Sequence, residues 1–275
     1  MKKSIAYLLA ALLSTAILIG CSTTKRLADD EVLYTGVKKM EIIPDSGVKI
    51  ADNVKSEIKS TLSVAPNNPL FSPYVRTPFP IGLWVWNYLE PKSDKGLKHW
   101  IYEKLAKEPV LVSNVQPELR MSVIKDILGN NGYFGADANY ELIYNKRNPK
   151  KARISYKIEV PPAYTLDTVE LLAPTSPITR FIDSINSATI LQRGDRYCLD
   201  SLSAERNRIT NALRNNGYFY FRPEYIEYLA DTTLSPGKVA LRMTLKKGIP
   251  AQALKPYYVG RVNVQLNGAT GGGTP

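Results

Sequence analysis

Cys21 is the residue whose type and position most clearly allow chemistry. Lys2 and Lys3 open the chain, and an apolar run from Ile5 to Ile19 follows them. A basic start and a short apolar stretch are typical of a secretory signal peptide. The run is short for a helix that must cross about 30 Å of hydrocarbon. A peptidase that accepts the small Gly20 could cut before Cys21, and the freed residue could then be acylated on its thiol.

The tetrapeptide Leu18-Ile19-Gly20-Cys21 resembles the lipobox of bacterial lipoproteins, in which the cysteine becomes the first mature residue and carries acyl chains such as palmitate. This resemblance predicts a signal peptide over residues 1–20 and a lipidated linker over residues 21–31. The alternative is an incidental cysteine behind a plain hydrophobic N-terminus. More than one acyl chain would anchor the protein stably, because a single chain binds a membrane only marginally.

Other residues that could do chemistry are few. Cys198 is the only further cysteine, so no intramolecular disulfide is expected, and we interpret it as a small apolar residue rather than a reactive thiol. His99 is the only histidine, and no His/Cys/Asp cluster has metal-ligand spacing. No Ser/His/Asp order and no Gly-rich phosphate loop before a helix occur. We therefore predict no enzyme activity, no metal and no cofactor.

The composition indicates a globular protein with an acidic neighbour. Hydrophobic residues make up 44% and charged residues 22% of the chain, which is ordinary for folded domains. The formal net charge is +11 at pH 7, an excess that suits a phospholipid or lipopolysaccharide surface, or a nucleic acid. Because the signal peptide sends the chain out of the cytoplasm, we predict that nucleic acid is not a partner.

A repeat organises the chain that must position these residues. The segment Asn130–Phe134 recurs as Asn215–Phe219, 85 residues later, and both copies read Asn-Asn-Gly-Tyr-Phe. Apolar residues at helical spacing precede each copy: Val123, Ile124, Ile127 and Leu128 in the first, Ile209 and Leu213 in the second. Gly132 and Gly217 fall where a helix C-cap requires a left-handed residue, so we predict that they are structural helix caps.

The surrounding elements repeat as well, and each unit is predicted to be β-α-α-β-β, an α+β fold. The first unit has strands at 32–43 and 154–160 and a helix at 50–62; the second has strands at 168–172 and 239–245 and a helix at 178–190. A tyrosine-rich extended stretch follows each Gly-Tyr-Phe, at Tyr140–Tyr144 and at Tyr225–Tyr228.

These patterns predict four regions behind the linker. A first domain spans 32–161 with an insertion at 64–109, a second domain spans 162–250, the first strand of an incomplete third domain lies at 257–266, and a flexible Gly-rich tail ends the chain at 267–275. The insertion is rich in proline and tryptophan and includes a helical stretch from Leu97 to Leu105. It is either a packed cap on the first domain or a docking or membrane-facing patch, since Trp and Tyr favour interfaces.

The repeat, with Gly-Tyr-Phe after the second helix, resembles the POTRA domain of BamA/TamA-type outer-membrane assembly factors. A lipobox before such domains is similar to the translocation and assembly module lipoproteins (TamL), as are the segments Cys21–Lys25, Glu31–Val37 and Pro80–Tyr88. That family continues into a further POTRA domain and a C-terminal transmembrane β-barrel. Only a Gly-rich tail follows Leu266 here, so we expect tandem POTRA-like domains without a β-barrel in this chain.

The resemblance implies a function at the sheet edges. In the POTRA topology the strand after the second helix is an edge strand, where an unfolded outer-membrane protein could pair by β-augmentation. The candidate edge residues are Asn139, Tyr140, Glu141, Leu142 and Ile143 in the first domain, and Pro223, Glu224, Tyr225, Ile226 and Glu227 in the second. Alternatively these edges are capped or merely solvated, and Pro223 is of the type that protects an edge.

The implied partners are outer-membrane protein clients or an inner-membrane or periplasmic assembly partner, and the membrane through the lipid anchor. The absence of Asp after Cys21 resembles outer-membrane sorting, so we expect the domains to face the periplasm from that membrane. One alternative is a structural or scaffold lipoprotein whose basic surface lies on anionic lipid or lipopolysaccharide. Another is a POTRA-type scaffold that only docks one partner protein.

Overall fold

The computed structural model describes most of the chain, whose contacts divide it into two compact units. The described residues are 23–67, 69–70, 72–76, 80–91, 93, 95–170 and 173–263. Unit 1 contains the chain up to Gly129 together with Tyr133–Pro162, and unit 2 contains Asn130–Gly132 together with the chain from Ala163. Gly20 and Cys21, the predicted signal peptide and the predicted tail lie outside the described residues.

Unit 1 has the order β-α-α-β-β, with an insertion between its two long helices. Its elements are β1 (Leu33–Pro44), α1 (Asp52–Leu62), β2 (Pro69–Leu70), β3 (Ser72–Arg76), α2 (Ile81–Tyr88), α3 (Leu97–Leu105), α4 (Val112–Val115), α5 (Pro117–Asn130), β4 (Asp137–Asn145) and β5 (Asn148–Val160). The last strand, β5, is central: it pairs in parallel with β1 and antiparallel with β4. β4 is therefore an edge strand of this sheet.

The core of unit 1 follows from two periodicities. Along β5 the residues at every second position, from Ala152 to Val160, are buried, while those between them are exposed or half-buried. This alternation is typical of a sheet with one covered face. The helices contribute buried residues at helical spacing: Val54, Ile58 and Leu62 from α1, and Met121, Ile124, Ile127 and Leu128 from α5. Val123, which the helical pattern grouped with them, is instead 38% exposed.

Unit 2 repeats the same order in a shorter form. Its elements are β6 (Thr165–Glu170), α6 (Pro177–Ser184), α7 (Leu199–Asn215), β7 (Ile226–Asp231) and β8 (Lys238–Leu245), with 3-10 turns at Asn186–Ala188, Pro223–Tyr225 and Ala251–Leu254. β8 is central, parallel to β6 and antiparallel to β7. Its core contains Ile178, Ile182, Ile209, Leu213, Tyr218, Phe221, Ile226 and Met243. The predicted α+β class and the β-α-α-β-β order are confirmed in both units.

Some predicted elements differ from the structure. The helix expected at 178–190 ends at Ser184, because Ser184, Asn186 and Ser187 favour turns over helix interiors. The segment Tyr257–Asn263 has no strand, and the rest of the predicted 257–266 strand lies outside the described residues. Helix α2 was not predicted, since the alternation of Trp84 and Trp86 with other apolar residues has no helical period.

The segment expected to be a linker is instead packed where the structure begins to describe it. Thr23 and Thr24 are buried, as is Leu27, which shares a small core with Leu33 and Leu83. A short polar-rich stretch can be ordered in this way when its backbone finds partners in the fold. Residues 23–31 are thus part of unit 1.

Every helix of the described residues is too short or too polar to span a bilayer. The described residues also contain no group of three His, Cys, Asp or Glu side chains placed to hold a metal ion.

Candidate strand-binding edge

The outer edge of the first strand is paired at its beginning in both units. In unit 1 the Tyr34 amide donates to the Val110 carbonyl at 2.9 Å, and the Val112 amide donates to the Val32 carbonyl at 2.9 Å. In unit 2 the Leu166 amide donates to the Asp195 carbonyl at 2.7 Å. Backbone groups that are paired in this way cannot accept another strand.

The opposite edge of unit 1 is formed by β4. This strand has nine residues and pairs with β5 along its length, from Asp137 opposite Glu159 to Asn145 opposite Asn148. Within the described part of the chain, no strand pairs with its other side. The candidate residues Asn139–Ile143 occupy the middle of this strand. An edge of this kind presents backbone donors and acceptors to which a further strand can pair.

A groove with apolar side chains on both of its walls runs beside this edge. Tyr140, Leu142 and Tyr144 lie opposite the buried Tyr156, Ile154 and Ala152, and directly opposed residues share one face of a sheet. Tyr140 and Tyr144 are nevertheless 37% and 51% exposed.

The other wall of this groove is helical. Val112, Pro117 and Leu119 line it together with Tyr140 and Leu142, and the polar residues beside them are Ser113, Gln116, Glu118 and Ser122. The groove is open to solvent and has a volume of about 590 Å³. Leu119 is 57% exposed, and Val123, one turn further along α5, is also exposed. We call the surface formed by Val112, Pro117, Leu119, Tyr140 and Leu142 the edge groove. Exposed apolar side chains that are contiguous in this way mark binding surfaces more often than isolated ones do.

The corresponding edge of unit 2 differs in length and chemistry. Pro223, Glu224 and Tyr225 form a 3-10 turn rather than the predicted strand, so the edge strand β7 begins only at Ile226 and has six residues. The cause is Pro223, which lacks an amide hydrogen and whose fixed φ suits the start of a helical turn. Of the five predicted residues, only Ile226 and Glu227 lie on the strand.

The helical wall of unit 2 is charged rather than apolar. Counted back from the shared glycine of the repeat, Leu119 corresponds to Ala204 and Val123 to Arg208. The guanidinium of Arg208 pairs with Glu205 at 2.7 Å, and that of Arg206 stacks 5.3 Å from the ring centroid of Tyr228 on β7. A charged residue of α7 thus takes the place of Val123, while Leu229, Ala230 and Leu234 line a separate groove beside β7 together with Glu170, Asp231 and Arg242. The structure therefore distinguishes two edges that the sequence repeat treated alike.

Glu205 is a buried carboxylate that ties α7 to the segment before it. The side chain is only 2% exposed. It accepts hydrogen bonds from the Thr189 hydroxyl at 2.9 Å, the Ile190 amide at 3.3 Å and both Nε and Nη2 of Arg208. Burial acts to raise the pKa of Glu205, but these hydrogen bonds and the Arg208 charge outweigh it and hold the pKa below its ordinary value. Its role is structural, because every contact is internal to unit 2.

The two repeat glycines have positive φ angles, +84° at Gly132 and +91° at Gly217. The amide of Tyr218 donates to the Leu213 carbonyl at 3.0 Å and that of Tyr133 to the Leu128 carbonyl at 2.9 Å, which is the pairing of a Schellman helix end. Each glycine also touches backbone: a Cβ at Gly132 would lie 2.7 Å from the Tyr197 carbonyl oxygen, and one at Gly217 would lie 2.7 Å from that of Tyr257.

The sequence pattern did not identify several residues that shape these surfaces. Leu119 lies on α5 outside its buried face, Val123 was wrongly grouped with that face, and Glu205 shows no motif. The one available signal was that Leu119 does not share the helical spacing of Met121, Ile124 and Leu128. An apolar residue on the wrong face of an amphipathic helix can mark a second surface.

Comparison with known proteins gives weak likenesses only. No protein-family model matches the chain, and no curated protein matches it at a significant level. Among solved structures it is similar to the POTRA3-5 domains of Haemophilus influenzae BamA, with 14% identity and a TM-score of 0.39 over 82% of this chain and 70% of that one. It is similar to POTRA1-2 of Omp85 from Anabaena, with 15% identity and a TM-score of 0.35 over 78% and 96% of the two chains. The N-terminal domain of Omp85 from Thermosynechococcus elongatus gives 14% identity and a TM-score of 0.33 over 78% and 63%.

The strand order of the two units is independent of these likenesses. In each, the last strand is central and the strand after the second long helix is at the edge. This is the arrangement that the POTRA resemblance implied from the sequence. It places the unpaired side of β4 and the edge groove next to each other in unit 1, where both could contact one extended peptide.

Proposed function

We propose that this protein is a membrane-anchored periplasmic arm that binds extended segments of unfolded outer-membrane proteins at β4 of unit 1. The observation that carries the proposal is a nine-residue edge strand with a groove beside it in which Leu119, Tyr140 and Leu142 are apolar lining residues. The lipobox resemblance at Cys21 supports the anchor, and the signal peptide pattern supports a location outside the cytoplasm. A scaffold that only docks a folded partner protein would not require an edge strand of this kind.

The geometry specifies what kind of segment would bind. A strand added beside β4 would form backbone hydrogen bonds whatever its sequence. Its side chains would alternate between the two faces of the sheet, so every second one would enter the edge groove. On its strand side the groove is lined by Tyr140 and Leu142, whereas the opposite face of β4 carries Asn139 and Glu141. The best ligand is therefore a strand with alternating apolar and polar residues, the pattern of transmembrane β-barrel strands.

The first prediction concerns this groove. Leu119→Asp should weaken binding of a peptide with alternating apolar and polar residues by about tenfold or more, since burial of a leucine side chain contributes roughly 1.5–3 kcal/mol. Binding can be measured by fluorescence anisotropy of the labelled peptide with the full chain in detergent. Because Leu119 is 57% exposed, its replacement should leave the fold intact.

Two controls separate strand addition from nonspecific apolar contact. Leu229→Asp changes a leucine of β7 that is 51% exposed, and it should leave the affinity unchanged. A peptide of the same sequence, N-methylated at alternate residues along the pairing edge, should not bind because its backbone donors are blocked. Equal loss in both leucine variants, or undiminished binding of the methylated peptide, would refute β-augmentation at β4. So would a photo-cross-linker at Tyr140 that captures no client protein in cells.

A further inference from the structure

The residues that follow Cys21 are fixed to the insertion of unit 1. The Asn87 side chain, 6% exposed, donates to the Thr23 carbonyl at 3.3 Å and accepts from the Arg26 amide at 3.1 Å. The Arg26 guanidinium donates to the Trp86 carbonyl at 2.6 Å and pairs with Glu90 at 2.8 Å, and it lies 4.4 Å from the Trp86 ring centroid. The start of the described chain is therefore held on α2.

This segment is also held by residues at the start of β5. The Lys150 ammonium donates to the Leu27 carbonyl at 3.0 Å and to Asp29 at 2.9 Å. The Asn148 side chain donates to the Thr24 hydroxyl at 3.0 Å. Cys21 is two residues before Thr23, and two residues span at most about 7 Å. An acyl chain on Cys21 would thus hold unit 1 directly at the membrane surface rather than on a long tether.

The same part of unit 1 exposes large apolar side chains. Tyr88 and Leu89 at the end of α2 are 38% and 36% exposed, and Leu97 and Trp100 on α3 are 73% and 56% exposed. Helix α3 contributes no buried residue, and Tyr102 on it accepts a hydrogen bond from Arg26 at 3.5 Å. We call Tyr88, Leu89, Leu97 and Trp100 the aromatic patch. The ammonium of Lys25 lies over the Tyr88 ring, 5.0 Å from its centroid.

We propose that the aromatic patch lies on the lipid bilayer surface and, together with the acylated Cys21, seats unit 1 on the membrane. The proposal rests on the anchor in the proposed function but assigns a surface that the strand-binding edge does not use. Tryptophan and tyrosine concentrate at the membrane interface, where an apolar ring and a polar edge are both accommodated. Thr23, where the described chain begins, is bonded to Asn87 next to Tyr88 of this patch. Without Lys2 and Lys3 of the signal peptide, 34 basic residues remain against 25 acidic ones, and this excess suits an anionic lipid surface.

Intrinsic fluorescence provides a direct test, because all three tryptophans of the chain, Trp84, Trp86 and Trp100, lie in the insertion. The full chain, extracted from cell membranes, is reconstituted into vesicles of phosphatidylethanolamine and phosphatidylglycerol, with or without bromine on the upper acyl chain. Brominated lipid should quench the tryptophan emission. Leu97→Asp should reduce this quenching about twofold or more, since a carboxylate is strongly disfavoured in the membrane. Trp100→Phe should remove most of it.

The matched control is Leu234→Asp in unit 2, where the leucine is 71% exposed against 73% for Leu97. Quenching in this variant should equal that of the unmodified chain. Equal emission from brominated and plain vesicles, or equal quenching in the two aspartate variants, would contradict the proposal that the aromatic patch lies on the bilayer. Mass spectrometry of the extracted chain reports acylation of Cys21 separately, and an unacylated chain would overturn the anchor and the seating with it. Peptide binding at β4 is measured independently, so a negative result in the quenching experiment does not contradict the strand-binding proposal.

Discussion

Gly132→Ala is expected to destabilise the protein by about 3 kcal/mol, the sum of two costs of roughly 1–2 kcal/mol each. The first is the left-handed backbone, because φ at Gly132 is +84°. The second is a collision, because a Cβ would lie 2.7 Å from the Tyr197 carbonyl oxygen and 3.3 Å from that of Tyr164. Neither carbonyl can move easily, since the Tyr197 amide donates to the Tyr164 carbonyl at 2.9 Å and the Tyr164 amide donates to Gly132 itself at 2.8 Å.

Other glycines of the same chain separate these two costs. Gly237 has a φ of +70° with nothing within 4 Å of an added Cβ, so Gly237→Ala should cost only about 1 kcal/mol of left-handed strain. Gly217→Ala should fall between the two. Its Cβ would meet the Tyr257 carbonyl at 2.7 Å, but Tyr257 is fixed to Gly217 by one backbone hydrogen bond of 2.7 Å, whereas two successive bonds fix the carbonyls around Gly132.

Urea denaturation followed by circular dichroism gives the free energy of unfolding for each variant. The expected order of destabilisation is Gly132, Gly217 and Gly237, from largest to smallest. If Gly132→Ala lost no more stability than Gly237→Ala, the close backbone contact would not be a constraint on this position. The helix-cap role alone would then account for the glycine.

The repeat made the fold predictable, because it presented the same pattern twice. Periodicity of two over Ile154–Val160 and over Val239–Leu245 predicted both central strands, and the structure gives β5 and β8 there. The glycine of each Gly-Tyr-Phe predicted a left-handed helix end from local rules alone. The second reason for glycine, the nearby carbonyl oxygen, depends on residues that are more than 30 positions away and could not be read from local sequence.

The candidate edges show where local patterns stop being sufficient. Asn139–Ile143 lies on β4, as its tyrosine-rich stretch predicted. The similar stretch in unit 2 predicted a strand that includes Pro223–Tyr225, but these residues form a turn because Pro223 favours the start of a helical turn. The edge groove could not be predicted from the sequence, because Leu119 and Tyr140 line one surface only once α5 packs beside β4. The packing of Thr23–Arg26 on α2 was equally hidden, since it depends on Asn87, which no motif marks.

The second large loss of stability is expected when Glu205 is replaced. Glu205→Ala should destabilise unit 2 by about 3 kcal/mol or more, the usual cost of removing one partner of a buried ion pair. The Arg208 side chain, 23% exposed, would lose its carboxylate, and the Thr189 hydroxyl and Ile190 amide would lose their acceptor. All three tryptophans lie in unit 1. Circular dichroism should therefore report the loss in unit 2, while the tryptophan fluorescence transition should shift little.

The matched control is the exposed pair Arg242–Glu170, also in unit 2. Its N–O distance is 2.8 Å, but the two side chains are 66% and 58% exposed. Exposed pairs contribute about 0–1 kcal/mol, so Glu170→Ala should change the stability far less than Glu205→Ala. Similar losses in the two variants would show that burial of Glu205 does not matter and that its contacts are not maintained in solution.

The pH dependence of the free energy of unfolding tests the role of the Glu205 carboxylate independently. Because the folded pKa of Glu205 lies below its ordinary value of 4.5, its ionised form stabilises unit 2 fully above that value. The contribution is lost as the pH falls through the depressed folded pKa. Glu205→Gln keeps the shape and an acceptor oxygen but cannot ionise, so the stability difference between wild type and Glu205→Gln should be constant at neutral pH and should shrink below about pH 4.5. A difference that is the same at pH 7 and in this acid range would mean that the charge of Glu205 does not stabilise the fold.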